Sequence, residues 1–438
     1  MTNIHQLKKR ITDRDYKVGI VGLGYVGLPL ALEFCSNNFS VTGFDIDKAK
    51  VGLIDRGESY IRHIDGSRIK DAVINNRLKA TTDYSEVSQV DAVIICVPTP
   101  LTSHREPDLS FIEETARKIA PHIRSGQLVT LESTTYPGTT EEVLRPILEE
   151  HSGIRAGSDF FLAYSPERED PNNAAFTTAT IPKVIGGYSA DCLSIAEKLY
   201  GEIIIETVPV SSCAAAESSK LLENIFRSVN IALVNELKVI FHRMDIDIWE
   251  VIKAAKTKPF GYKAFYPGPG LGGHCIPIDP FYLTWKAKEY GANTRFIELA
   301  GEINTFMPEY VVQRTFEALN DIGIAMNGSK LLIVGLSYKG DVDDMRESPS
   351  LILFKIFRDK GADVAYYDPY IPEIPSTRDH ADLTGLKSIS LEQISKFDCA
   401  VISTSHSNVD HKVFAEKCKI VVDTRNSLDK NLPGVYQA

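Results

Sequence analysis

The sequence predicts an α/β protein: two Rossmann-like doubly wound domains joined by a central helical domain with one long helix. Three observations predict it. A buried strand near the start turns through glycines into a helix, the same pattern returns late in the chain, and a stretch free of proline and glycine lies between them. The chain has 438 residues, more than one ordinary core holds, and roughly three domains is the expectation from length. We place them at residues 1–210, 211–325 and 326–438.

In the first half, Lys17 to Val21 reads as a buried strand and a helix begins near Leu28. Gly22, Gly24 and Gly27 occupy the G-x-G-x-x-G positions of a dinucleotide-binding turn, with Tyr25 and Val26 between them, so that a pyrophosphate can sit against the helix N-terminus. A second strand, Ser40 to Asp45, ends in a carboxylate at roughly the 20-residue spacing from which an acid bonds the ribose 2′-hydroxyl. Asp45 would repel a 2′-phosphate, which favours NAD over NADP. Further strands run from Ala92 to Val97 and from Leu128 to Glu132. Doubly wound sheets bind ligands at the C-terminal ends of such strands, which makes Pro98, Thr99 and Thr134 candidates.

From Ala214 to Phe241 an apolar stripe runs without interruption, so the segment reads as one helix long enough to span two domains. Lys220 and Asn224 are four apart and share a face, with Ala216, Leu221 and Ile225 close by. A helix lysine is normally a solvated surface cation, and that reading stands beside a functional one. Beyond the helix, Gly268, Gly270, Gly272 and Gly273 alternate with prolines around Cys275. Glycine permits close backbone approach to a ligand while proline restricts the chain, so the loop is expected to be shaped and not a flexible linker. A thiolate traps aldehydes well, and Asp279 suits a base or a carboxylate that positions water. Two readings of Cys275 stand: a nucleophile, or the small buried hydrophobe that most lone cysteines are.

The opening pattern returns where Lys330 to Gly340 matches Lys17 to Gly27, Val364 to Asp368 answers Val41 to Asp45, and Phe397 to Ile402 answers Val90 to Ile95. Ser337 replaces the middle glycine and Lys339 stands where Val26 does, which suits a phosphate-binding cation better than close pyrophosphate packing. This half takes a nucleotide of another kind, or is a structural repeat without a ligand.

Composition excludes several classes. A hydrophobic fraction of 43% and a charged fraction of 24% are those of a globular protein, and no apolar run approaches the roughly 20 residues that cross a bilayer. The polar start carries no signal core, so a cytoplasmic protein is expected. Seven scattered cysteines, never in a CxxC pair, argue against a disulfide framework and against a zinc site. A net charge of -10 leaves no basic footprint for nucleic acid.

Taken together, Ile20 to Pro29, Cys96 to Pro100, Glu132 to Thr134, Ser165 to Glu167, Glu217 to Asn224, Gly268 to Asp279 and Tyr338 to Ser348 closely resemble the UDP-glucose/GDP-mannose dehydrogenase family of nucleotide-sugar 6-dehydrogenases, from about Tyr16 to Asn426. The resemblance implies an NAD-binding first domain, a central domain whose long helix forms a homodimer or higher homo-oligomer, and a last domain that binds a UDP-sugar. Phe265 to Tyr282 and Ser165 to Pro171 are most similar to the UDP-N-acetylglucosamine 6-dehydrogenase branch of surface-polysaccharide pathways. UDP-glucose, UDP-N-acetylmannosamine and GDP-mannose are the alternative substrates, and a silent NAD-binding regulator is the alternative of another class. Lys339 followed by Gly340 departs from the commoner UDP-glucose pattern of the family, where two lysines often stand.

The family mechanism implies a four-electron oxidation at C6 through a thiohemiacetal and a thioester on Cys275. The base is Lys220, Asp279 or a water they hold, Lys220 and Asn224 face the oxyanion, and Glu167 and Thr134 hold or activate the hydrolytic water. The substrate would meet Glu167, Lys220, Asn224, Phe265, Tyr266, Gly268, Gly272, Lys339 and Arg425. Arg346 would serve cofactor or interdomain contacts, and a plain surface salt bridge is the other reading of both arginines. Lys220 should lower the thiol pKa and Asp279 should raise it.

Overall fold

The computed structural model describes residues 4–61, 64–102, 106–168, 176–273, 276–376 and 380–438. The chain falls into two compact units, one of residues 1–223 with 281–292 and one of residues 224–280 with 293–438.

The first unit is built on β1 (Val18–Val21), β2 (Val41–Phe44), β3 (Leu78–Thr81), β4 (Ala92–Ile95), β5 (Leu128–Leu131), β6 (Phe161–Tyr164), β7 (Lys183–Gly187) and β8 (Thr207–Val210). Their order is β3-β2-β1-β4-β5-β6-β7-β8, and each neighbouring pair is parallel except β6 with β7. β1, β4, β5 and β6 are buried at every position, because helices cover both faces of a parallel sheet and its strands are therefore written as apolar runs. Val18 pairs with Val41 on one side and Ala92 on the other, so the sheet grows in both directions from β1 and opens its crevice there. Helix Gly27–Ser36 buries Leu28, Ala31 and Phe34 in the same core as Ile20 and Ile94. Each large apolar side chain withdrawn from water contributes about 1.5–3 kcal/mol.

In the second unit, β9 (Lys330–Val334), β10 (Asp363–Tyr367), β11 (Cys399–Ile402), β12 (Ile420–Asp423) and β13 (Val435–Gln437) form a parallel sheet in the order β10-β9-β11-β12-β13. β9 takes the part of β1, with β10 and β11 where β2 and β4 stand in the first sheet. Alternate residues of β9 feed two cores: Leu331 and Ile333 face one, Leu332 and Val334 the other. The chain thus carries two parallel-sheet domains separated by a helical region, as its sequence pattern predicts.

The long helix is Cys213–Arg243, 31 residues and about 46 Å, beginning in the first unit and ending in the second. Glu217, Lys220, Asn224, Ser228, Asn235 and Lys238 recur at helical spacing and are all buried, while Leu222, Phe226, Leu233 and Ile240 stand exposed. The surface reading of Lys220 is thereby overturned, since the residue is 5% exposed. Among the described residues, no helix is long and apolar enough to cross a membrane.

Candidate active site

In the first unit the glycine turn has the geometry a dinucleotide needs. Gly22 has φ +91°, and a Cβ on Gly27 would lie 1.9 Å from the Gly22 carbonyl oxygen, so neither position accepts a side chain. Gly24 is different, because a Cβ there would meet nothing within 4 Å. That open space above bare backbone, at the start of a helix, is where a pyrophosphate can approach the turn. Tyr25 beside it is exposed and Val26 half-buried. Asp45 is buried at the end of β2, its Oδ2 accepting from Leu23 N at 2.9 Å and its Oδ1 from Asp47 N at 2.9 Å, with Lys50 Nζ 3.6 Å away. The carboxylate is therefore fixed beside the turn, and these residues fit NAD.

The ends of β4, β5 and β6 gather the other first-unit candidates. Thr99 and Thr134 are buried, and Thr99 lends its carbonyl to the Tyr282 hydroxyl at 2.9 Å. Ser133 donates to the Val97 carbonyl at 2.7 Å, tying the β5 end to the β4 end next to Pro98. Glu167, just past β6, holds Lys220 Nζ at 3.2 Å. Both side chains are nearly withdrawn from solvent, so the pair is held in a largely buried setting. A narrow cavity lined in part by Val26, Leu30, Glu132, Glu167, Arg168 and Lys183 brings the cofactor turn and Glu167 together.

Two groups of first-unit residues carry no role in the sequence reading. Glu132 receives Lys183 Nζ at 3.0 Å and the Tyr200 hydroxyl at 2.5 Å. Burial, together with the Glu132 charge, pushes the Tyr200 phenol far up, which keeps it a donor. Glu217 at the head of the long helix accepts from Gly138 N, Thr140 N and the Thr140 hydroxyl. Burial raises its pKa against the pull of those bonds. Lys183 and Tyr200 lie far along the chain from Glu132, and no local spacing joins them.

In the second unit the glycine loop packs on the repeat of the dinucleotide turn. Gly268 N donates to Asn235 Oδ1 at 3.0 Å, and Gly273 N donates to the Arg346 carbonyl at 3.1 Å. A Cβ on Gly272 would come within 2.6 Å of Tyr338 Cβ, and one on Gly268 within 2.4 Å of an Arg425 guanidinium nitrogen. The loop is thus held against the segment carrying Lys339 and against Arg425, whose Nε donates to the Ser403 carbonyl at 2.7 Å. Burial lowers the Arg425 pKa to about 10, which leaves it a cation at neutral pH. Phe265 packs edge-on to Phe226 and Tyr266 stacks on Trp249.

Asn224 Nδ2 donates to Asp279 Oδ2 at 2.5 Å in a buried contact, and Arg227 donates to Asn224 Oδ1. Asp279 opens helix Asp279–Glu289, so the end of the loop is anchored to the long helix. Arg346 makes a paired contact with Asp344, the salt-bridge alternative for that residue. Cys275 lies outside the described residues, as does its neighbour His274. The residues that sequence reasoning left out here are Asn235 and Lys238, whose signal is the polar recurrence along one face of the long helix.

Three family models match the chain in succession: the NAD binding domain of the UDP-glucose/GDP-mannose dehydrogenase family over residues 16–204, its central domain over 214–306 and its UDP binding domain over 332–430. A UDP-N-acetyl-D-glucosamine 6-dehydrogenase of Pseudomonas aeruginosa is 35% identical over 90% of this chain and 91% of its own length. A UDP-N-acetyl-D-mannosamine dehydrogenase of Pyrococcus horikoshii is 36% identical over 94% and 95%. The solved structure of a UDP-D-ManNAc dehydrogenase from Pyrococcus horikoshii superposes with a TM-score of 0.87 at 34% identity, covering 96% of this chain and 98% of that one. The glycine turn and its acid in the first sheet, and the loop packed on the altered repeat in the second, are therefore parts of one known plan, and the chain belongs to the UDP-glucose/GDP-mannose dehydrogenase family, as an NAD-dependent nucleotide-sugar dehydrogenase.

Proposed function

We propose that the chain oxidises the C6 hydroxyl of UDP-N-acetylglucosamine to the uronate, a cytoplasmic step in making surface-polysaccharide precursors. The observation that supports the reading is the buried Asn224–Asp279 contact, which joins an amide of the long helix to a carboxylate four residues beyond Cys275 in the sequence. NAD⁺ supplies the oxidising power, one hydride acceptor for each of two oxidations. In the first, C6 loses a hydride while Lys220, Asp279 or a water they hold takes the hydroxyl proton, leaving an aldehyde. The Cys275 thiolate then forms a C–S bond to the aldehyde carbon and the oxyanion is protonated. Loss of a second hydride and that proton gives a thioester. Water held by Glu167 and Thr134 attacks it, the C–S bond breaks, and thiolate and carboxylate are released as the two protons of the water pass to solvent. Lys220 and Asn224 donate to the oxygen that carries negative charge.

The substrate is bound by Phe265, Tyr266, the amides of the loop at Gly268 and Gly272, Lys339 and Arg425, and Arg346 serves the cofactor. The N-acetylglucosamine assignment is supported by the Pro267 to Gly270 element and by the Pseudomonas relative. The mannosamine epimer is the second reading, favoured by the Pyrococcus relative of near-equal identity. Initial NADH formation on UDP-N-acetylglucosamine, UDP-N-acetylmannosamine, UDP-glucose and GDP-mannose tests it, and a clear preference for any of the last three overturns the first choice. Two NADH per sugar are expected, with Cys275→Ala unable to form the acid. One NADH per sugar in the native protein refutes the four-electron scheme.

The exposed stripe of Leu222, Phe226, Leu233 and Ile240 supports a homodimer through the long helix. Leu233→Asp is expected to bring the mass read by light scattering down to that of one 48.5 kDa chain.

A further inference from the structure

Lys238 stands one turn beyond Asn235 on the buried face of the long helix. It is 5% exposed, and among the described residues its Nζ has no hydrogen-bond partner. A buried ammonium without a partner is costly, and it persists where a ligand brings the missing charge or where the proton is given up. The surroundings sharpen the problem. Arg425, just past β12, and Arg314, on helix Arg295–Asp321, repel the ammonium, while Asp423 attracts it and His242 lies one turn further along its own helix. Asp423 is already committed, its Oδ1 to Arg425 N and its Oδ2 to Leu428 N. Arg314 is turned to Glu317 and to the Gln437 carbonyl. Burial first, and then the neighbouring cations, bring the Lys238 pKa down to about 7.

The same corner holds other unused groups. Gln437 pairs with Asp423 across β12 and β13, and its side-chain Oε1 and Nε2 are buried with no partner among the described residues. Arg425 presses its guanidinium on Gly268, whose amide is held by Asn235. Lys238, Arg425 and the entry to the glycine loop therefore converge within the second unit, with more positive charge than the protein itself answers.

We propose that Lys238 is a phosphate-binding residue: together with Arg425 and the loop backbone at Gly268 it receives the diphosphate of the sugar nucleotide, which completes the charge of a site built short of anions. This rests on the UDP-sugar reading above and adds a residue to it. A phosphate is favoured over the neutral base because a buried amine with no partner among the described residues and the Arg425 guanidinium converge beside the loop backbone. One consequence is proton uptake. Lys238 is largely neutral at pH 8 and becomes an ammonium when the diphosphate arrives; Arg314, Asp423 and Arg425 are the charged groups that face it, Arg425 stays a cation, and His242 is pushed below its usual range by burial and is neutral there.

Calorimetric titration of the native protein at pH 8 with UDP, in two buffers of different ionisation enthalpy, is expected to read an uptake approaching about one proton. Lys238→Met is expected to weaken UDP by about ten- to a hundredfold and to abolish the uptake, to leave uridine affinity unchanged, and to stay folded with a thermal midpoint at or above the native one. Lys238→Arg should restore most of the UDP affinity. A Lys238→Met protein that binds UDP as tightly as native, or that loses UDP and uridine equally, overturns the proposal. Native protein that fails to bind UDP overturns the UDP-sugar reading and this inference with it, so the two failures are told apart.

Discussion

The two glycine turns share a backbone plan and differ in what fills them. At the first, Asp45 takes one turn amide, from Leu23, and the middle position, Gly24, faces open space. At the second, Asp368 Oδ2 takes two turn amides, from Leu336 and Ser337, and the His406 Nε2 proton as well, while its Oδ1 takes Tyr370 N and Ile371 N. His406 Nδ1 accepts from Asp341 N, which sets the tautomer that donates from Nε2. Ser337 fills the middle position, buried, its hydroxyl donating to the Lys339 carbonyl and its carbonyl receiving the Thr404 hydroxyl. One acid is left able to meet a ribose and its counterpart is used up as an internal strut. A repeated strand and turn therefore do not carry a repeated ligand. On the proposals made above, the work of meeting an anion in the second half passes from turn amides to Arg425, Lys238 and the glycine loop.

The comparison breaks most visibly at the two acids. Asp368→Asn keeps one acceptor among five donors and presents an amide to the others, and a loss of about 3 kcal/mol or more in urea unfolding is expected. Asp45→Asn should cost only about 1 kcal/mol of stability while raising the KM for NAD about tenfold. The pH dependence follows with a definite sign. Burial acts to raise the Asp368 pKa, but the His406 and backbone hydrogen bonds outweigh it and hold the carboxyl below its ordinary value. Its contribution is therefore present above the ordinary carboxylate range and lost as pH falls through the lowered folded value, and the Asn variant should lack that acid limb. Equal stability losses at the two positions would sink the distinction.

Lys238 sets a test of the second half's cations that reads in the opposite direction. Its folded pKa of about 7 lies below the unfolded value of 10.5, so over that interval the unfolded chain binds the extra proton and stability rises with pH. The penalty is fully present below about pH 7 and relieved by about pH 10. Lys238→Met should accordingly be more stable than native at pH 7 by up to a few kcal/mol, with the advantage shrinking on the way to pH 10. A constant difference across that range would mean that the lysine is not neutralised on folding.

Much of this arrangement is written locally. Parallel strands buried on both faces appear as apolar runs, which is why β1, β4, β9 and β11 and both glycine turns are legible from residues alone. Asp45 is legible from its spacing to the turn. The plug at the second turn is not, because His406 stands 38 residues from Asp368 and no periodicity links them. The buried polar face of the long helix is half-legible. Glu217, Lys220, Asn224, Ser228, Asn235 and Lys238 keep helical spacing, but the apolar stripe on the same helix is the stronger pattern, and it reads as a helix without saying that a polar row is buried while Leu222, Phe226, Leu233 and Ile240 are exposed.

The smallest change separates the turns most cleanly. A methyl on Gly24 meets no protein atom, and the residue has no left-handed backbone to strain, so Gly24→Ala should move stability by no more than about 0.5 kcal/mol. The methyl would nevertheless occupy the space through which a pyrophosphate nears the turn, so the KM for NAD should rise about tenfold with the UDP affinity unchanged. The counterpart control is Gly335→Ala in the second turn. There φ is +82° and a Cβ would lie 2.2 Å from the Thr404 carbonyl oxygen, so a loss of about 2 kcal/mol or more is expected with the KM for NAD unaffected in whatever protein still folds. If Gly24→Ala instead unfolds the protein, or leaves NAD binding intact, then the open space at Gly24 is not where the cofactor lies, and the first turn is as closed as the second.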